Sequence, residues 1–177
     1  MQKSRIQYLT TAAMMVAITA VCAQIVLPLP FTPVFFTLAI LAVLLTGSVL
    51  PPRWAFGAMA CYLLLGAFGA PVFGGFKGGP GVLVGPTGGY LVAYPLMALL
   101  ISWVCSKGTK TFWRCFAAMM SAMVLCYAFG TLWFCILTGR GLWAALAACV
   151  FPFVIPDVLK GVAASLCAVA LGKAKYR

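Results

Sequence analysis

The sequence contains no histidine and a single acidic residue, Asp157, in 177 positions. Catalysis by paired carboxylates, by the Ser-His-Asp triad or by zinc needs imidazoles, several carboxylates or a cluster of metal ligands held together. The chain also lacks a G-x-x-x-x-G-K-[ST] segment, the loop with which P-loop proteins cradle nucleotide phosphates. An enzyme is therefore not expected, and no metal or other cofactor is expected. Charge of any kind is scarce, with 7% of residues charged and 65% hydrophobic. At a mean hydropathy of +1.14, the chain holds more apolar surface than a soluble core of its size can hide. The solvent that suits it is a lipid bilayer.

The charge that is present has almost one sign, with 12 Lys and Arg against one acid. Bases clustered on a polar face would point to nucleic acid. Here they sit at the ends of apolar runs, where they orient a membrane protein, so no nucleic-acid partner is expected. Eight cysteines, at 22, 61, 105, 115, 126, 135, 149 and 167, stand singly in apolar stretches without a C-x-x-C pair, and are read as small packing residues. The first two dozen residues imitate a secretory signal. A first span flanked by Lys3 and Arg5 produces the same pattern, and the helix is expected to stay uncleaved.

A transmembrane helix needs roughly 20 largely apolar residues. Proline and glycine divide the chain into runs of that order: 8–27, 34–50, 54–70, 90–104, a fifth from the basic turn 107–114 to about 137, and a last span. Glycines and prolines crowd 71–89, where helix would be costly, so that stretch is expected to be a structured or re-entrant loop. The last helix is expected to start at Pro156 and end near Leu171, with the piece 142–150 completing the wall beside it. The expected fold is thus an all-α integral membrane bundle of six transmembrane helices in one domain, 1–177. Nine bases (Lys3, Arg5, Arg53, Lys107, Lys110, Arg114, Lys173, Lys175, Arg177) then fall on one side and Lys77 and Arg140 on the other. The positive-inside tendency puts both termini in the cytoplasm and the glycine-rich loop outside. No sustained internal repeat of the secondary-transporter kind is visible.

Asp157 and Lys160 lie three positions apart, on one face of the last helix. Ionisable groups inside a membrane are functional candidates by default. A helix's first turn favours Asp157 and disfavours Lys160, so Lys160 calls for an anionic partner, either Asp157 or an acidic ligand. The alternative is an ion pair that only fixes helix packing, although buried pairs seldom add stability. Gly85-Pro86-Thr87-Gly88-Gly89-Tyr90 offers backbone that a ligand can approach closely and a tyrosine able to stack and hydrogen-bond; equally, it can be an external turn capping the fourth helix. Ala13, Ala17 and Ala20 present small side chains on one helix face, suited to close approach by another membrane helix or to packing within the chain.

These residues carry a resemblance. Pro30-Phe31-Thr32-Pro33-Val34, Ala70-Pro71-Val72-Phe73, Gly78-Gly79-Pro80-Gly81-Val82, the block from Gly85 to Tyr90, and Phe151-Pro152-Phe153 with Asp157 and Leu159-Lys160 resemble the BioY biotin transporters, over about 12–171. The resemblance implies the substrate-binding component of an energy-coupling factor transporter in a prokaryotic cytoplasmic membrane. Its implied partners are a transmembrane coupling protein and two ATP-binding subunits. It further implies that Asp157 and Lys160 are polar contacts for biotin, that Thr87, Gly88, Gly89, Tyr90 and Phe73 wall its rings, and that Ala13 and Ala17 meet the coupling protein. A binding component for another vitamin, or a carrier working alone, remains the alternative at this point.

Overall fold

Proline and glycine set the helix ends where a fixed φ or a missing side chain costs least. The computed structural model describes residues 5–27 and 36–174. The motif 30–34, the start of the second expected span and the bases Lys3, Lys175 and Arg177 lie outside the described residues. In chain order the elements are α1 (Arg5–Gln24), β1 (Val26–Leu27), β2 (Phe36–Thr37), α2 (Ala39–Val49), α3 (Pro52–Ala67), α4 (Pro80–Val84), α5 (Gly88–Ser106), α6 (Phe112–Thr138), α7 (Leu142–Cys149) and α8 (Phe151–Ala174). Pro52 and Pro80 open α3 and α4, at a position whose N–H would have no helical partner. Gly139 closes α6 in the left-handed conformation, φ 66°, its N–H donating to the Cys135 carbonyl at 2.9 Å, the usual way of satisfying a last-turn carbonyl.

Among the described residues, four helices are long and apolar enough to cross a membrane: Arg5–Gln24, Gly88–Ser106, Phe112–Thr138 and Phe151–Gly172. α2, at 11 residues, is apolar but shorter. Packing contacts run from α1 to α3, α5, α6, α8, α2 and back to α1, with α2 also touching α5 across this ring. α5 is the most enclosed of the long helices. Tyr62, Met97, Ile101 and Met119 fill the core with no exposed surface.

The bases Arg5, Arg53, Lys107, Lys110 and Arg114 sit at one end of this bundle. Tyr8 stacks on Trp54 with ring centroids 6.0 Å apart, joining the starts of α1 and α3. Ser102 Oγ donates to the Leu50 carbonyl at 2.5 Å and Lys110 Nζ donates to the Ser48 carbonyl, joining the α5–α6 turn to the α2–α3 turn. Lys77 and Arg140 belong to turns at the opposite end, after α3 and after α6.

Two expectations are corrected. The stretch 34–50 is not helical throughout: Phe36-Thr37 pairs antiparallel with Val26-Leu27, Val26 opposite Thr37, as aromatic and β-branched residues favour. α8 begins at Phe151 rather than Pro156 and runs for 24 residues. Pro152 falls in its first turn, and Pro156 deprives only the carbonyl of residue 152 of a donor, so neither breaks the helix. At about 1.5 Å per residue α8 is long enough to cross a bilayer unaided; α7 packs against α6 and α8. Asp157 therefore lies beyond the first turn, where the helix dipole has largely faded. Lys160's need for an anion comes from burial instead.

Candidate functional site

Away from the basic end, the helices, the α3–α4 loop and β2 enclose a cavity of about 340 Å³, at the lower end of the roughly 300–1,000 Å³ typical of small-molecule sites. It opens toward the glycine-rich segment, since Lys77, Gly81 and Pro86 line it and are exposed. Its floor holds the one buried ion pair among the described residues. Lys160 Nζ donates to Asp157 Oδ1 at 2.8 Å, with the two side chains only 7% and 2% exposed.

Each member of that pair has further partners, as burial demands. Asp157 Oδ2 accepts from the Tyr127 hydroxyl at 2.6 Å. Lys160 Nζ also donates to the Thr37 carbonyl at 2.8 Å and stands 3.8 Å from the centroid of the Phe36 ring; Phe36 stacks on Phe153 at 6.3 Å. The short β-pair thus has a role in the site: it extends the backbone at 36–37 so that one carbonyl and one ring meet the ammonium. α8 contributes the charges, α6 the hydroxyl and β2 the carbonyl, so the constellation exists only when three distant segments are packed together.

The walls are aromatic. Phe73, 1% exposed, meets Tyr62 edge-on at 5.6 Å. The Tyr62 hydroxyl donates to the Val72 carbonyl at 2.9 Å, and Tyr62 stacks with Tyr94 at 6.4 Å. Phe73 can lie there because Gly66 has no side chain: a Cβ on Gly66 would overlap the Phe73 ring. Tyr90 likewise lies against Gly130, where a Cβ would overlap its ring, and its hydroxyl reaches the Cys149 carbonyl at 3.4 Å.

Of the residues singled out in the sequence, Asp157, Lys160, Tyr90, Thr87 and Phe73 line the cavity. Gly88 and Gly89 lie beside it, buried. A Cβ on Gly88 would overlap the Leu83 carbonyl and one on Gly89 the Trp133 side chain, so these glycines let the α4–α5 turn close and α5 approach α6. Trp133 Nε1 donates to the Gly85 carbonyl at 3.0 Å, fixing that turn from the α6 side. Ala13 and Ala17 face outward on α1, opposite the buried Ala12, Met15, Thr19 and Ala23, whereas Ala20 is half-buried.

Sequence reasoning passed over Tyr127, Tyr62 and Tyr94, and gave Phe36 and Thr37 no place among the site residues. A signal existed for the first two: each is the lone tyrosine of a largely apolar helix, and a hydroxyl in such a place requires a partner. Nothing local marks the Thr37 carbonyl, which is a backbone group selected by position alone.

An apolar bundle of membrane-crossing length, with an aromatic chamber and one fully partnered ion pair, defines a membrane-embedded binder of small molecules. The chain belongs to the BioY family, which it matches over residues 1–177. It is 37% identical over 174 residues to biotin transporter BioY2 of Lactococcus lactis subsp. cremoris, covering 98% of this chain and 94% of that one. It is 38% identical over 165 residues to biotin transporter BioY of Thermotoga maritima, covering 93% and 95%. The fold is similar to the crystal structure of the S-component for biotin from an ECF-type ABC transporter, with a TM-score of 0.90 at 22% sequence identity, over 98% of this chain and 94% of that chain.

Proposed function

We propose that this protein mediates biotin uptake as the high-affinity substrate-binding component of an energy-coupling factor transporter in a prokaryotic cytoplasmic membrane. The observation that carries the site assignment is the buried Asp157–Lys160 pair on the floor of an aromatic chamber. Biotin joins a ureido group, which needs donors and acceptors side by side, to an apolar bicycle that needs flat apolar walls. Asp157, Lys160 and Tyr127 supply the first, and Tyr62, Phe73, Tyr90 and Tyr94 the second. Thr87, Gly88 and Gly89 shape the turn that closes the chamber.

The whole chain, 1–177, forms one membrane domain of six spans, in which α2 and α3 join the four long helices. The basic end faces the cytoplasm together with both termini, and the chamber opens outside. Having no P-loop of its own, the chain works with a transmembrane coupling protein and two ATP-binding subunits. Ala13 and Ala17, small and exposed on α1, are the contact for the coupling protein, since small residues allow membrane helices to approach closely.

The test is equilibrium binding of labelled biotin to the purified protein in detergent, with excess biotin, riboflavin or thiamine as competitor. Displacement by biotin alone is the expected result. A folded sample that binds no biotin overturns the proposal.

A further inference from the structure

Gln24 is the last residue of α1 and lies outside the chamber lining, yet both ends of its carboxamide reach the segment between α3 and α4. Oε1 accepts from the Phe76 N–H at 2.7 Å. Nε2 donates to the Ala20 carbonyl of its own helix at 3.0 Å and to the Pro71 carbonyl at 3.4 Å. An amide side chain suits this place because it is donor and acceptor at once. The two groups it holds, at 71 and 76, flank Phe73, whose ring stands in the chamber wall.

The bond to Phe76 falls where the backbone is strained. Phe76 has φ 56°, a conformation that costs energy for a bulky residue and persists only where the surroundings impose it. The Phe76 side chain is 72% exposed, so its own packing does little to impose it. Within the turn, the Phe73 N–H donates to the Lys77 carbonyl at 3.0 Å and the Lys77 N–H to the Phe73 carbonyl at 3.3 Å. The turn also lies flat on the end of α1 and on β2: a Cβ on Gly74 would stand 3.2 Å from Thr37 Cγ2 and 3.5 Å from the Ala23 carbonyl oxygen. Lifting the turn from α1 would draw out Phe73, its first residue. Exposed loop hydrogen bonds of this kind are among the first to open in a folded protein.

We infer that Gln24 is a positioning residue for ligand retention: by tying Pro71 and Phe76 to the end of α1, it keeps the Phe73–Lys77 turn down and the Phe73 ring in the chamber wall. The identity of the retained ligand rests on the biotin reading above; the tie itself does not.

The exposed Lys77 makes the state of the turn measurable. Trypsin cleaves after lysine and arginine, and the bond after Lys77 becomes a substrate only when the exchange with Phe73 opens. The experiment follows trypsin cleavage of the purified full chain in detergent, and separately the release rate of labelled biotin, for wild type, Gln24→Leu and Gln24→Glu. Cleavage after Arg140, exposed in the turn that follows α6, is the internal reference. Relative to that reference, Gln24→Leu is expected to speed cleavage after Lys77 by roughly tenfold, the scale of one to two net hydrogen bonds, and to speed biotin release by a similar factor. Gln24→Glu keeps an oxygen for the Phe76 N–H and is expected to stay within about threefold of wild type. Unaltered cleavage in Gln24→Leu, or Gln24→Glu cleaved as fast as Gln24→Leu, overturns the tie. Acceleration at both sites alike is loss of the whole fold and counts against a local tie. Faster cleavage after Lys77 with unaltered biotin release overturns the retention role and leaves the biotin reading standing. Folded wild type that binds no biotin overturns that reading, while cleavage of the free protein still decides the tie.

Discussion

Replacing the floor's polar groups one at a time and then together separates a ligand-binding role from a packing role. Lys160→Met leaves Asp157, 2% exposed, with the Tyr127 hydroxyl as its one side-chain donor among the described residues. Asp157→Val leaves the Lys160 ammonium, 7% exposed, with the Thr37 carbonyl and the Phe36 ring. Removing one partner of a buried pair costs about 3–5 kcal/mol because the survivor remains desolvated. Each single variant should therefore lose stability on that scale. The triple variant Asp157→Val, Lys160→Met, Tyr127→Phe leaves neither a buried charge nor an orphaned Tyr127 hydroxyl, whose abandonment alone costs roughly 1–3 kcal/mol. It should recover most of the loss, since apolar replacement of a whole buried pair is often close to neutral. Its biotin affinity should nevertheless fall by at least a hundredfold, because two charge-assisted hydrogen bonds to the ligand, each worth about 1.5–3 kcal/mol, are gone. Thermal unfolding in detergent reads the first quantity and equilibrium binding of labelled biotin the second. A triple variant that is stable and binds biotin as wild type does would refute the role of the floor in recognition. Single variants with wild-type stability would refute the claim that the pair is buried and interdependent.

Two further outcomes follow from the packing. Ala13→Trp with Ala17→Trp should abolish copurification of the coupling protein and leave biotin binding by the isolated chain unchanged, because both alanines are exposed and neither lines the chamber; retained copurification would count against that face. Gly66→Ala should lower the melting temperature and weaken biotin binding, since its Cβ would displace the Phe73 ring from the wall at an overpacking cost of about 1–3 kcal/mol. Gly57→Ala, in the same helix with nothing within 4 Å, is the control. It should be neutral or stabilising by up to about 1 kcal/mol from helix propensity.

Much of this was legible in the chain before it was folded. Composition alone assigned the solvent, because a bilayer is the only medium in which this much apolar surface and so little charge are not a penalty. Scarcity pointed to the candidate site: with a single acid in 177 residues, Asp157 and the cation three positions on stood out from everything else, and a helix puts such neighbours on one face whatever the rest of the chain does. Proline and glycine marked where the long helices end to within a few residues, because their constraints are local. Pro156 misled for the same reason: local preference argued for a helix start, while the packing of α8 against α6 and α2 carried the helix one and a half turns further back. The motif from Gly85 to Tyr90 was visible as a string, but the string did not say that Thr87 and Tyr90 face the chamber while Gly88 and Gly89 serve close packing.

What only the tertiary structure decided was the company these residues keep. Tyr127 stands 30 positions from Asp157 and Thr37 stands 123 from Lys160, and no periodicity links them; they meet because α6 and α2 pack against α8 from two sides. Whether the ion pair was exposed, bare or fully partnered was therefore undetermined until the bundle closed. Residue type determined which medium the chain needs and which groups are costly to bury in it. Packing determined how that cost is offset, because hydrogen bonds and ring contacts depend on positions in space that sequence separation does not encode.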